Sequence, residues 1–175
     1  MISIIMKKVV KFGGSSLANA EQFQKVGDII RSDESRRYVV PSAPGKRFSA
    51  DTKVTDLLYT CYGKAEAGED FTDVLTEIKG RFYEIIKGLN LDLSLEEEFR
   101  QIEADFKAHA GNEYAASRGE FLNGKVMAAY LGYEFIDSAT VIRFDKNGNF
   151  DADKTDKLLA KRLQKCERAV IPGFY

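Results

Sequence analysis

The chain opens with a short apolar run, Lys7 to Phe12, in which Val9 and Val10 sit on opposite faces and predict a central parallel strand. Phe23, Val26, Ile29 and Ile30 then recur at helical spacing behind Asn19-x-x-Gln22, a capping-box pattern, and predict a helix ending near Asp33. Arg37 to Pro41 reads as a second strand, so the opening is a βαβ unit. Ser42 to Asp51 is a loop by composition. From Lys53 to about Ala129 the period is helical. Val54, Leu57, Leu58, Cys61 and Tyr62 form one apolar face, and Phe71, Val74, Leu75, Ile78, Phe82, Ile85 and Ile86 form another, closed by Gly88. Ser94-x-x-Glu97 predicts a cap for the next helix, whose face is Leu95, Phe99, Ile102 and Phe106. Gly111-Asn112 breaks the pattern before a last stretch through Phe121, Met127, Tyr130 and Leu131. Strand-like runs return at Tyr133 to Asp137 and at Ala139 to Phe144. Lys146-Asn147-Gly148-Asn149 carries an Asn-Gly pair able to take the two positive φ values of a hairpin turn. Asp153 is placed to cap a helix bearing Leu158, Leu159 and Leu163, and Glu167 to Pro172 predicts a final strand.

Strands separated by helices predict an α/β fold: a mostly parallel sheet with helices on both sides, plus a helical lobe inserted over about 53–131. Composition changes little in this picture. The 26 basic and 27 acidic residues give a net charge of −1, which offers no electrostatic case for nucleic acid or an acidic membrane. Cys61 and Cys166 stand far apart, outside metal-ligand spacing, and read as buried free thiols. Met1 to Met6 is apolar but too short for a signal-peptide core or a membrane span, so a cytoplasmic protein is expected. His109 reads as a surface group near a helix end, Glu96-Glu97-Glu98 as a solvated helix face, and Asp145, Asp151 and Asp153 as turn residues without calcium-loop spacing.

The candidate chemistry lies where the first strand breaks. Lys11-Phe12-Gly13-Gly14-Ser15-Ser16 is a strand end, a tight turn and the approach to a helix N-terminus. Glycines let backbone N–H groups come close to an anion, the hydroxyls add donors, and Lys11 adds a cation, so the stretch suits a phosphate. It has neither the P-loop nor the Rossmann spacing, and an ordinary βα turn with glycines for geometry is the other reading of these residues alone.

The hexapeptide resembles the K-F-G-G-[ST]-S signature that opens the aspartate kinases of the amino acid kinase family. Four further segments follow in the family's order. Val40-Pro41-Ser42-Ala43 is similar to a V-[ST]-A segment, with proline in an uncommon place. Thr55-Asp56-Leu57-Leu58 is similar to [ST]-[ND]-x-L, after a loop several residues longer than the usual pattern. Ser117-Arg118-Gly119-Glu120 resembles [SA]-x-G-E, and Ile171-Pro172-Gly173-Phe174 resembles [VI]-P-G-F-x-G. The resemblance implies an amino acid kinase (carbamate kinase-like) three-layer sandwich, incomplete in this chain. It implies ATP with Mg2+ held through the nucleotide, and L-aspartate as acceptor. Lys11 would be the catalytic cation, with Lys11, Phe12, Gly13, Gly14, Ser15 and Ser42 around the phosphates. Thr55 and Glu120 would bind the amino acid, the glutamate through its ammonium group. From the residues alone, Ser117-x-x-Glu120 also fits a capping box and Thr55 a helix N-cap. Residues 1–175 would be the amino-acid-binding portion of the kinase domain, without the nucleotide-binding half and the regulatory ACT domains. A homo-oligomer is expected of the whole protein. The alternative is a non-catalytic amino-acid- or phosphate-binding module of the same fold.

Overall fold

The computed structural model describes residues 6–175, so the Met1 to Met6 stretch, except Met6 itself, lies outside the described residues. Four strands form one parallel sheet: β1 (Lys8–Phe12), β2 (Arg36–Pro41), β3 (Glu134–Phe135) and β4 (Ala169–Val170), in the order β1-β2-β4-β3. Helix α1 (Ala20–Arg31) connects β1 to β2. Four helices then intervene before β3: α2 (Val54–Glu66), α3 (Thr72–Gly88), α4 (Glu96–Lys107) and α5 (Asn112–Leu131). A short α6 (Ser138–Val141) and α7 (Ala152–Leu163) lie between β3 and β4.

The two-residue period of the strands sorts side chains into three layers. Val39 and Val170 enter the large core with α1 to α5, while Tyr38 and Ala169, one residue earlier, enter a second core with Val141, Leu159 and Leu163. Helices therefore cover both faces, as the α/β sandwich predicts. Within the large core, Phe106 meets Tyr62 edge-on at 5.5 Å between ring centres, and Phe82 lies against Phe99 at 6.1 Å. Unlike the others, α5 is buried nearly all round by Ala115, Ala116, Gly119, Leu122, Val126 and Met127, because it lies between the sheet and α2.

Several local expectations are corrected. β1 is an edge strand among the described residues rather than a central one, with Val9 66% exposed. Ala139 to Phe144 is not a strand. The Asp137 carboxylate accepts from Ala139 N–H at 3.0 Å and starts α6, which outweighs the β-branched Thr140-Val141-Ile142 run. Only Gly148, at φ 81°, takes a positive φ in the turn that follows. Asp145 organises that turn instead, accepting from the N–H groups of Asn147 and Asn149 at 2.8 and 2.9 Å. The cap of α7 is Asp151, accepting from Lys154 N–H at 3.0 Å, not Asp153. Ser94 accepts from Glu96 N–H at 3.3 Å, but the helix starts one residue later than a Ser94 cap predicts, with Leu95 at its N-cap, so no capping box forms with Glu97. Glu98 is not simply solvated, since it pairs with Lys125 of α5 at 2.5 Å. Asn19 does cap α1 through Gln22 N–H at 3.0 Å. Both cysteines are free thiols. Cys61 is buried, and burial pushes its thiol up to about 12, whereas Cys166 is only half-buried. His109 is exposed just past α4, where its φ of 58° helps end the helix.

Candidate functional site

At the carboxyl ends of β1 and β2, where parallel sheets offer their loops to ligands, lies a cavity of about 540 Å³. Gly14, Ser15, Ser42, Thr55 and Glu120 line it, together with Ala43, Pro44, Gly45, Lys46 and Lys53. Segments up to about a hundred residues apart in sequence thus converge on one space. Phe12, Gly13 and Lys11 are not on its wall. Phe12 turns into the large core. Lys11, one residue earlier, points to the opposite face of the sheet with Val9 and stays exposed, although its charge still reaches Glu120.

Gly14 to Leu17 form a single 3₁₀ turn between β1 and α1, so the phosphate-suited stretch leads into this turn and not directly into α1. Gly14 and Ser15 are its first two residues, and their N–H groups have no carbonyl of the turn to donate to. The two glycines differ. A Cβ at Gly13 would meet nothing within 4 Å, leaving the space over its backbone open. A Cβ at Gly14 would lie 2.7 Å from the Ala43 carbonyl oxygen, because this turn packs on the loop after β2. Gly45 is the counterpart: its N–H donates to the Gly14 carbonyl at 2.8 Å, and its own Cβ would strike Gly14 and Ser15 backbone atoms at 2.6 to 2.7 Å. Backbone cannot yield as a side-chain tip can. Gly45→Ala is therefore expected to destabilise the protein by about 1–3 kcal/mol, whereas Gly13→Ala, at an ordinary φ of −77°, should leave thermal unfolding unchanged.

Ser42 follows β2, its N–H donating to the Phe12 carbonyl at 3.0 Å and its carbonyl accepting from Asn123 Nδ2 at 2.6 Å. Thr55 is the second residue of α2 and is not its N-cap; that place belongs to Lys53, which has no side-chain cap. Glu120 lies in the middle of α5, so the capping-box reading of Ser117-x-x-Glu120 falls, and Ser117 instead donates back to the Tyr114 carbonyl at 2.7 Å. Gly119 has a packing reason to be small, since its Cβ would come within 2.8 Å of the Ala43 Cβ. That contact sets α5 against the loop and brings Glu120 to the cavity. Burial pushes the Glu120 carboxyl above its ordinary value, opposed by the Gly173 and Phe174 N–H groups and by Lys11. Gly173 N–H donates to Glu120 Oε2 at 3.1 Å, tying the segment after β4 to this site.

The cavity's lysines and the group beneath them were not foreseen. Lys46 and Lys53 are exposed, and neither they nor Lys11 form an ion pair among the described residues. Arg81 of α3 is buried under the loop. The sequence holds one signal for it: Arg81 sits in the apolar period of Ile78, Phe82 and Ile85, a core position for a charge.

The family model described as "Amino acid kinase family" matches residues 6–175. Aspartokinase 3 of Bacillus subtilis (strain 168) is 39% identical over 183 aligned residues, covering 96% of this chain and 40% of that protein. A crystal structure of Clostridium acetobutylicum aspartate kinase superposes with a TM-score of 0.92 at 48% identity, over 97% of this chain and 39% of that one. Aspartokinase III of E. coli, solved in complex with aspartate and ADP, shares the fold with a TM-score of 0.74 at 24% identity, over 94% of this chain and 40% of that one. The chain thus spans about two-fifths of the length of these proteins. No helix among the described residues is long and apolar enough to cross a membrane. With the parallel sheet, the glycine turn at the end of β1 and the family model agreeing along nearly its whole length, this chain belongs to the amino acid kinase family.

Proposed function

We propose that this chain is the amino-acid-binding portion of an aspartate kinase, which transfers the γ-phosphoryl group of ATP to the side-chain carboxylate of L-aspartate. The observation that carries the reading is the single cavity lined by Gly14, Ser15, Ser42, Thr55 and Glu120, residues of four separate segments. A carboxylate oxygen attacks the γ-phosphorus, the bond to the β–γ bridging oxygen breaks, and 4-phospho-L-aspartate and ADP leave. The attacking carboxylate is already ionised at neutral pH, so no general base is needed. What remains is alignment and positive charge around the transferring group.

Gly14 and Ser15 N–H groups and the Ser15 hydroxyl would face phosphate oxygens across the open space over Gly13, with Ser42 on the far wall and Phe12 fixing the turn from the core. Lys11 would meet the developing charge. Thr55 would hold the aspartate, and the Glu120 carboxylate would accept from its ammonium group. Mg2+ would be carried on the nucleotide phosphates. Bound there, it would neutralise charge on the β- and γ-phosphates. The 40% coverage of Aspartokinase 3 supports the view that the nucleotide-binding half and regulatory domains belong to sequence beyond these residues. The whole protein would be a cytoplasmic homo-oligomer acting at the entry to lysine, threonine and methionine synthesis.

The test is an ADP-release assay on the natural protein that contains this chain, with L-aspartate, L-glutamate and N-acetylglutamate as alternative acceptors. Release that depends on aspartate and MgATP is expected. Release with another acceptor and not with aspartate would reassign the substrate, and binding of aspartate without release would favour the non-catalytic module.

A further inference from the structure

The loop between β2 and α2 is held from below by one charge. Arg81 is 2% exposed, and its guanidinium donates from Nη2 to the Gly45 carbonyl at 2.6 Å and from Nη1 to the Thr52 carbonyl at 2.8 Å. Those carbonyls stand at the two ends of the loop, so a single side chain fixes its span. The Asp51 carboxylate, itself buried, lies 3.2 Å from Arg81. Asp51 also accepts from Arg47 N–H at 2.8 Å and from Arg47 Nε at 2.9 Å, and Arg47 reaches across to Glu84 of α3 at 2.8 Å. The loop is thereby closed on itself and bolted to α3.

Burying this arginine is expensive. Its Nε has no hydrogen-bond acceptor, and a buried ion pair seldom improves on an apolar side chain of the same volume. An apolar residue would fill the space under the loop but could not tie down Gly45 and Thr52. Each of those residues precedes a lysine of the cavity wall, Lys46 and Lys53. Gly45 is also packed directly on the Gly14-Ser15 turn.

We propose that Arg81 is a positioning residue that sets Lys46 and Lys53 at the cavity to bind the polyphosphate of the nucleotide. This deepens the kinase reading of the cavity and rests on it. Arginine is required rather than a cation in general, because two nitrogens of its rigid fork serve the two carbonyls separately, Nη2 at Gly45 and Nη1 at Thr52, where lysine offers one nitrogen on a flexible stem.

Calorimetric titration of inorganic tripolyphosphate and, separately, of L-aspartate into the full natural protein tests the assignment without needing turnover. Arg81→Lys should weaken tripolyphosphate binding about tenfold, the loss of one well-placed charged contact, with aspartate binding unchanged. In a Lys46→Met/Lys53→Met background, itself weakened, Arg81→Lys should add little, since the groups it acts through are gone. A folded Arg81→Lys protein that binds tripolyphosphate like the wild type overturns the proposal, as does an undiminished loss in the double-methionine background. A loss confined to aspartate overturns it too, by moving the lysines to the amino-acid side. If Arg81→Lys does not fold, the exposed Lys46→Met/Lys53→Met variant decides: unchanged tripolyphosphate affinity overturns the proposal. A wild type that binds no tripolyphosphate overturns it outright. One that binds tripolyphosphate but does not phosphorylate aspartate overturns only the kinase reading.

Discussion

Replacing Lys11 with alanine should lower kcat for aspartate phosphorylation about 10³-fold and leave the folded protein as stable as before. The two halves of this expectation come from different features of the same side chain. Among the described residues Lys11 is exposed on an edge strand, joins no ion pair and packs in neither core, so its removal should stay within about 0.5 kcal/mol of neutral. Its cation is available because no carboxylate among the described residues pairs with it. Its field nonetheless reaches Glu120 at the cavity, so its charge acts on the site although Lys11 is not on the cavity wall. A cation in that place stabilises the transition state more than the ground state, because charge builds on the transferring group as the bond breaks. The loss should therefore appear in kcat, with KM for aspartate changed only a few-fold. Lys11→Arg keeps the charge with a different shape and should recover part of the rate. Steady-state kinetics and thermal unfolding on the same preparations decide it. A fall in kcat below tenfold in Lys11→Ala removes Lys11 from the chemistry.

What could be read from the sequence was whatever local periodicity controls. The faces of α1 to α4 and the β1–turn–α1 connection depend on residues within a few positions of one another, and they stand where the pattern puts them. Long-range competition decided the rest. Thr140-Val141-Ile142 has strand propensity, but Ser138 is buried and donates to the Pro172 carbonyl, and Asp137 caps the turn, so helix α6 forms there. The last strand shortens to Ala169–Val170 because only those residues find partners on both sides, Tyr38 and Val39 of β2 and Glu134 and Phe135 of β3.

The site divides along the same line. The glycine turn was legible, but half the reason for it was not: Gly14 is small to admit the loop at Gly45, and that loop is shaped by Arg81 from 36 residues away. Lys46 and Lys53 carry no motif and enter the cavity only through this closure. Glu120 was ambiguous in sequence because Ser-x-x-Glu serves a cap or a site equally well. Burial of Ala115 and Ala116 ahead of it extends α5 backwards and removes the cap.

Glu120→Gln should raise KM for aspartate about 10- to 150-fold and, at neutral pH, make the protein more stable. The loss of affinity is that of one charge-assisted hydrogen bond to the substrate ammonium. The gain in stability follows from burial. The folded protein holds this carboxyl above its ordinary value, so in the pH interval between the two values the folded state binds more protons than the unfolded state. Stability contributed by the group is then lost as pH rises through that interval, and above it the full cost of the buried charge is felt. Glutamine carries no charge to desolvate, and its amide oxygen can still accept from Gly173 N–H. The difference in unfolding midpoint between variant and wild type should accordingly vanish near the ordinary glutamate pKa of about 4.3 and grow towards neutrality. Kinetics carry the same signature with opposite consequence. The wild type should lose kcat/KM for aspartate on the acid side as Glu120 takes up its proton, and the glutamine variant should lack that limb. Melting curves and pH profiles of the two proteins read both effects. A variant less stable than wild type at neutral pH would mean that Lys11 and the backbone N–H groups outweigh desolvation, and an unchanged KM would take Glu120 out of the amino-acid site.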